Sequence, residues 1–392
     1  MATVEPPWEM NQCISLSIKI IPCILQNGWK EIEHSKISKL KDRISDVANA
    51  DEWEIRKKIT NPYEAIFSGD DTSFPSLAKV QPLSRSYFKM IEMLGLIGFF
   101  GEVSGYKPSP TSGEVSGEVT EPFVSAHICE GPGGFIQHVV EALAERNITT
   151  KGIYAMTLKP TKSHIPGWRR SIHFLKKFPK IKLEYGVDDT GNILKPANQH
   201  DFCVKAKGAH LFTADGGFDF SVNYTNQELM AFPLVLASFI MGLKTLRKGG
   251  TMIIKLFDIY SRATQDLFLG SATFFEKFTL YKPATSRPCN SERYFIGHRY
   301  RDSCESEGIS EWISTLESAL KRHEQSPITQ LVQNEWPLAI LRAVKEQILY
   351  QEHIQIKNIE DTLNLDKNTI PQRMLQNIRT SKHWCKTFGV KH

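Results

Sequence analysis

The sequence predicts a doubly wound, mostly parallel α/β sheet of seven strands with an antiparallel edge, joined by an N-terminal flank and a helical C-terminal module. Three observations carry this. Seven short apolar runs, at 123–128, 152–157, 182–185, 209–214, 251–256, 278–281 and 294–297, alternate with helix-like segments, the pattern of a mostly parallel sheet. A glycine-rich turn, Gly131-Pro132-Gly133-Gly134, joins the first run to an amphipathic helix. The last two runs are separated only by 282–293, too short for a crossover helix, so they should pair antiparallel.

The elements follow in order. Residues 1–75 form the flank, irregular and partly helical; within it 31–59 is charge-rich with apolar residues at helical spacing, reading as one or two amphipathic helices. Asn61-Pro62-Tyr63-Glu64 breaks that pattern. The sheet domain spans 76–304. It opens with a helix at 84–100, which Ser84 or Ser86 can cap and in which Phe88, Ile91, Met93, Leu94 and Ile97 build the apolar face. A low-complexity loop, 101–121, repeats a small GEVSG unit. Helices at 134–146 and 226–246 separate later strands. In 305–392 the strand signals fade, and 312–323, 335–353 and 372–388 read as helices, the last opened by Pro371.

Composition narrows the class. With 41% hydrophobic and 23% charged residues the 392-residue chain should pack a core. No apolar run reaches the roughly 18 residues of a membrane span, and 232–243 reads as a buried helix. The chain does not open on a basic region followed by an apolar core, so a soluble intracellular protein is expected. The seven cysteines, Cys13, Cys23, Cys129, Cys203, Cys289, Cys304 and Cys385, are scattered and form no CxxC pair. The histidines are equally dispersed, so neither a disulfide framework nor a bound metal is expected. A net charge of +5 suits a polyanionic partner without requiring one.

Cys129-Glu130-Gly131-Pro132-Gly133-Gly134-Phe135 is the strongest ligand signal. Glycines let backbone turn sharply and approach a ligand after a first strand. The helix N-terminus that follows favours an anion such as a carboxylate. The loop is not GxGxxG and lacks a P-loop lysine, which disfavours dinucleotides and nucleoside triphosphates.

This loop resembles that of FtsJ-type ribose methyltransferases, and the likeness continues along the chain. Leu83-Ser84-Arg85-Ser86-Tyr87-Phe88-Lys89 resembles the helix bearing a first catalytic lysine. Thr213-Ala214-Asp215-Gly216-Gly217-Phe218 resembles the strand end with the catalytic aspartate, and Gly249-Gly250-Thr251-Met252-Ile253-Ile254-Lys255 the strand with the second lysine. The block from Lys282-Pro283 through Ser286-Arg287 to Asn290-Ser291-Glu292-Arg293-Tyr294 resembles the segment carrying the catalytic glutamate. Within the family the resemblance is nearest to the messenger RNA cap-1 branch, on Asn61-Pro62-Tyr63-Glu64, Thr157-Leu158-Lys159 and Asp215-Gly216-Gly217-Phe218. It is looser to methyltransferases of large cytoplasmic DNA viruses; a viral member would work in the host cytoplasm. It runs from about Lys57 to Arg299.

The resemblance implies a Rossmann-like methyltransferase sheet, S-adenosylmethionine as cofactor and RNA, specifically the capped 5′ end of mRNA, as substrate, with neither membrane nor DNA specificity. It implies Lys89, Asp215, Lys255 and Glu292 as catalytic residues. Cys129, Glu130, Gly131, Pro132, Gly133, Gly134, Phe135, Asp189, Asn192, Ile193 and Asp215 would contact cofactor, and Lys57, Asn226, Gln227, Arg287 and Asn290 would contact substrate. Two positions depart from the family: His127 stands where relatives carry an acid, with Glu130 expected to supply the polar group, and Asn192 stands where many have an acid.

The chemistry needs these types. A ribose hydroxyl attacks a methyl in line only when positioned and deprotonated. Lysine serves as base when burial and a neighbouring cation lower its pKa, against the pull of carboxylates. Lys255, ending an apolar strand, is read as the base, Lys89 as the steering cation, and Asp215 and Glu292 as the carboxylates orienting them. Singly, each has a plainer reading: a solvated lysine, a turn-forming aspartate, a surface ion pair. Two other functions stay open, a ribosomal or transfer RNA ribose methyltransferase and a catalytically silent RNA-binding scaffold.

Overall fold

The computed structural model describes residues 35–44, 50–69, 73–103, 121–160, 167–217, 227–333 and 335–392. The loop expected at 101–121 lies outside the described residues from 104 to 120, as does Asn226. One seven-stranded sheet organises the chain: β1 Phe123–Ile128, β2 Thr150–Met156, β3 Ile181–Glu184, β4 Ala209–Ala214, β5 Leu246–Leu256, β6 Phe275–Tyr281 and β7 Arg293–Tyr300. Its order is β3-β2-β1-β4-β5-β7-β6. The first five strands pair in parallel. The expected antiparallel pairing closes the other end, with β7 inserted between β5 and β6 and antiparallel to both. Winding reverses between β1 and β4, so the C-terminal ends of these strands open the crevice in which such sheets bind ligands.

Side chains alternate across the sheet as the pleat requires. Leu211, Ile253, Tyr294 and Ile296 face α3 (Ser86–Leu96), α4 (Phe99–Val103) and α5 (Gly134–Glu145), meeting Met90, Met93, Phe99, Phe135 and Val139. Phe212, Met252, Ile254 and Phe295 face the other way. There they meet Phe202 of α7 (Pro196–Lys205), Phe239 of α8 (Gln227–Thr245) and Phe268 of α9 (Arg262–Ala272). Each such buried Phe contributes about 1.5–3 kcal/mol over exposure. Helix α8 is long and apolar enough to cross a membrane by length and composition, and most of it is buried inside this fold. A short α6 (Ile172–Lys177) precedes β3.

The flanking helices and one C-terminal helix pack beside the segment that precedes β7. The α1 (Ser35–Ile44) and α2 (Ala50–Thr60) helices bring Leu40 and Trp53 against Ile359 of α11 (Leu338–Leu363) and against Cys289, close in sequence to Glu292. The α10 helix (Glu307–His323) packs on α8. The last helix, α12 (Ile370–Thr387), turns back so that Trp384 and Cys385 meet Ile66 and Phe88.

Candidate active site

Local packing delivers each polar side chain. Gly134, at the first turn of α5, lies so close to the start of α3 that a Cβ there would fall 2.3 Å from Ser86 Oγ and 2.8 Å from Tyr87 N. Gln137 completes the dock, accepting from Leu83 N (2.7 Å) and donating to Gln81 O (3.1 Å). Lys89 thereby enters the crevice from one turn inside α3. Asp215 follows β4, Lys255 sits one residue before the end of β5, and Glu292 immediately precedes β7.

The structure brings these four together. Lys89 Nζ is 2.7 Å from Glu292 Oε1, and Lys255 Nζ is 3.2 Å from Asp215 Oδ1 while donating to Asp215 O at 2.9 Å. The side chains keep only 11 to 14% exposure, so the group is largely desolvated. Two groups not singled out from sequence join them. The buried Tyr294 hydroxyl donates to Asp215 Oδ1 (2.7 Å) and accepts from Lys89 Nζ (3.4 Å). Lys282 Nζ donates to Glu292 O (2.9 Å), Asn290 O (3.0 Å), Asn290 Oδ1 (2.6 Å) and Ser286 Oγ (3.3 Å). Tyr294 had one signal, its place two residues after Glu292 in the same block, and its pairing on β5 comes from the structure; Lys282 had none beyond its place before Pro283.

Charge is nearly balanced here, and burial sharpens each interaction. Burial pushes the Glu292 carboxyl up, but Lys89, Lys255 and Lys282 outweigh it and hold Glu292 well below the usual carboxylate range. Burial pushes Lys255 down, but Asp215 and Glu292 prevail, so its amine stands above its ordinary value and holds its proton. Burial takes Lys282 down to about 7, opposed by Glu292 and assisted by Arg293 and Lys89.

The glycine turn lies beside this group. Cys129 and Gly133 take left-handed conformations, and Phe135 packs against the Tyr294 ring at 5.9 Å between centroids. Burial, with the Glu130 carboxylate, pushes the Cys129 thiol up to about 12, Lys255 opposing. Glu130 is buried; Thr213 donates to its Oε1, while Oε2 lies 3.3 Å from His127 Nδ1 and takes no hydrogen bond. His127, the departure from the family, is fully buried between Thr213 Oγ1 (2.7 Å) and Ser125 Oγ (2.8 Å). Across the crevice, Gly191 presses on the chain after β2, where a Cβ would lie 2.0 Å from Thr157 O, and its φ of +68° suits glycine. Ile193 is buried, Asn192 Oδ1 caps Leu194 N (2.9 Å), and Asp189 is exposed in an ion pair with Lys159.

The substrate-side residues divide. Lys57 and Arg287 meet on one carboxylate, Glu54, the latter at 3.2 Å. Arg287 also lies 3.6 Å from Glu64, which pairs with Arg85 at 3.2 Å. Gln227 Oε1 accepts from Ser291 Oγ (3.0 Å), so it anchors the segment leading into Glu292. Asn290 is held by Lys282. Among the described residues no three His, Cys, Asp or Glu side chains are grouped to hold a metal.

A doubly wound sheet with a glycine turn at its switch point and four converging polar groups defines a class, the S-adenosylmethionine-dependent methyltransferases. Residues 82–300 match the profile of the FtsJ-like methyltransferase family, and the chain belongs to that family. It is similar to cap-specific mRNA (nucleoside-2′-O-)-methyltransferase 1 of Ailuropoda melanoleuca, 32% identical over 262 residues, covering 64% of this chain and 29% of the relative. The Homo sapiens protein of that name is 31% identical over the same shares, and the Dictyostelium discoideum one is 36% identical over 186 residues, 43% of this chain and 24% of the relative. The chain thus spans about a quarter to a third of the length of these curated relatives. A solved ribosomal RNA methyltransferase from Plasmodium falciparum aligns over 56% of this chain and 99% of its own, at 18% identity and a TM-score of 0.37.

Proposed function

We propose that the chain transfers a methyl group from S-adenosylmethionine to a ribose 2′-oxygen of RNA, at the first transcribed nucleotide of capped messenger RNA. The observation that carries this is the convergence of Lys89, Asp215, Lys255 and Glu292 from four separate elements at one end of the sheet. The resemblance to cap-specific relatives supports the cap. Lys57 and the Asn61–Glu64 turn, beside Arg287, support an RNA-facing rim.

The cofactor would supply an electrophilic methyl on a cationic sulfur. The residues present fit it. Glu130 offers a buried carboxylate oxygen without a donor, suited to an ammonium. The turn from Cys129 through Gly131, Pro132, Gly133 and Gly134 to Phe135 offers backbone at a helix start, and Asp189, Asn192 and Ile193 would hold the nucleoside end. Asp215 borders both groups.

The chain's own residues do the rest. Lys89, held by Glu292, directs its ammonium at the hydroxyl oxygen and favours the charge developing there. Lys255 takes the proton. It holds a proton of its own in this structure, so Lys255 must first release that proton to solvent as the grip of Asp215 loosens, which the Tyr294 hydroxyl, already donating to Asp215, assists. Arg287, Asn290, Lys57, Gln227 and Asn226 would orient the RNA. A radiolabelled transfer assay on capped and uncapped RNA, with nuclease mapping of the labelled nucleotide, tests this. Label on the first nucleotide of capped RNA alone is expected. Equal labelling of both removes the cap, and no labelling with intact cofactor binding leaves a silent scaffold.

A further inference from the structure

The last helix packs against the segment that carries Glu292, and one buried carboxylate joins the two. Glu92 lies on α3, three residues beyond Lys89, and is 1% exposed. Its Oε2 accepts from Tyr281 OH (2.9 Å) and Ala284 N (2.7 Å), and its Oε1 from Thr285 N (2.9 Å) and Trp384 Nε1 (3.1 Å). No cation pairs with it among these contacts. A carboxylate so buried is tolerable only when its oxygens are satisfied, so each of the four donors matters. Burial pushes its carboxyl up, and the donors from Thr285, Ala284 and Tyr281 oppose this.

Helix α3 therefore grips the 284–292 segment twice. Lys89 holds its far end through Glu292 at 2.7 Å, and Glu92 holds its near end through two backbone amides. The fourth donor comes from α12, whose Trp384 is fully buried and edge-on to Phe88 at 5.8 Å. We propose that α12 is part of the catalytic apparatus, Trp384 acting through Glu92 as a positioning residue that fixes the 284–292 segment and hence Glu292. The activity arm of its test rests on the methyltransferase reading; the exchange arm does not.

In the full chain, Trp384→Phe keeps a ring against Phe88 and removes the N–H. Amide hydrogen exchange in peptides covering 282–292 is expected to accelerate about tenfold, with α8 peptides unchanged. In the transfer assay kcat is expected to fall about tenfold while KM for RNA stays within about twofold. Glu92→Gln should act similarly, and the double variant should be no worse than Glu92→Gln alone, because the indole works through that carboxylate. Unchanged exchange at 282–292, acceleration spread equally over α8, or strictly additive losses would each overturn the proposal and leave Trp384 a packing residue. Should Trp384→Phe not fold, exchange at 282–292 in Glu92→Gln decides: protection retained there refutes the grip. A wild type without methyl transfer sinks the proposed function and leaves the exchange result to stand alone.

Discussion

Lys255 and Tyr294 face each other across the β5–β7 ladder, and both reach the same oxygen of Asp215, at 3.2 Å and 2.7 Å. The hydroxyl and the ammonium thus compete for one carboxylate. Removing the hydroxyl in Tyr294→Phe leaves more of the Asp215 charge for Lys255, whose amine is already raised. The pH at which Lys255 releases its proton should move up. The basic-side rise of kcat should shift to higher pH, with a loss of about tenfold near neutrality. A pH–rate profile superimposable on the wild type would show that Tyr294 has no hold on the proton of Lys255.

Lys255→Ala should abolish methyl transfer and leave RNA affinity within about twofold, since the amine is spent on Asp215 and not on the rim. Filter binding alongside the transfer assay checks both. Residual activity comparable to the wild type would place the base elsewhere.

The rim offers a salt-dependent signature. Lys57 and Arg287 both contact Glu54, an exposed carboxylate that would compete with a phosphate for them. Glu54→Gln should tighten RNA binding severalfold, and Lys57→Ala should weaken it and lower the slope of log affinity against log salt by about one. Titrations at several salt concentrations measure this; identical slopes would exclude a phosphate contact at Lys57.

How much of this could be read along the chain depends on what set each element. Strands announced themselves because 123–128, 209–214 and 251–256 are buried on both faces and so nearly continuously apolar. The α9 helix did not, because it buries Thr264, Gln265, Asp266 and Ser271 beside its leucines and Phe268, erasing the two-faced pattern. Asp266 is satisfied by Arg262 Nε one turn back (2.6 Å) and by the distant donors Leu331 N, Val332 N and Trp336 Nε1, at 2.8 to 3.1 Å. Likewise α11 runs to Leu363, ten residues past its expected end, because Ile359 finds a home against Trp53 and Leu40. The four polar site residues were legible as ordered motifs. Their supports, Tyr294, Lys282, Glu92 and Trp384, follow from strand register and helix docking, which no local pattern encodes.

Acid should destabilise the fold before the carboxylates titrate. His138, edge-on to Tyr87, is depressed from 6.5 to about 3 by burial and by Arg146, and His210 to about 4 by burial and Arg247. Between those values and 6.5 the unfolded chain binds protons that the folded chain does not. Stability is therefore full above about pH 6.5 and declines as pH falls. His138→Phe should flatten that decline. Calorimetric Tm at a series of pH values from about 7 to 5 tests it; parallel curves for the two proteins would refute the assignment.

The buried Lys41–Asp258 pair, at 2.8 Å, pins α1 to the chain just past β5. Lys41→Met strands Asp258, whose other oxygen already lacks a partner, and should cost roughly 3–5 kcal/mol. The double variant Lys41→Met, Asp258→Asn should recover part of it. A Tm unchanged in the single variant would show that α1 is not anchored there.

The insertion of β7 between β5 and β6 sets a parity rule. Because Tyr294 is registered on Lys255 in an antiparallel ladder, a residue added to the 282–292 connection and taken up as a one-residue slip of β7 would turn Tyr294 toward α8 and put Arg293 opposite the amine. An added pair of residues taken up the same way would preserve the facing but not the register. Length changes in this connection must therefore be taken up within its loop, leaving β7 in register on β5.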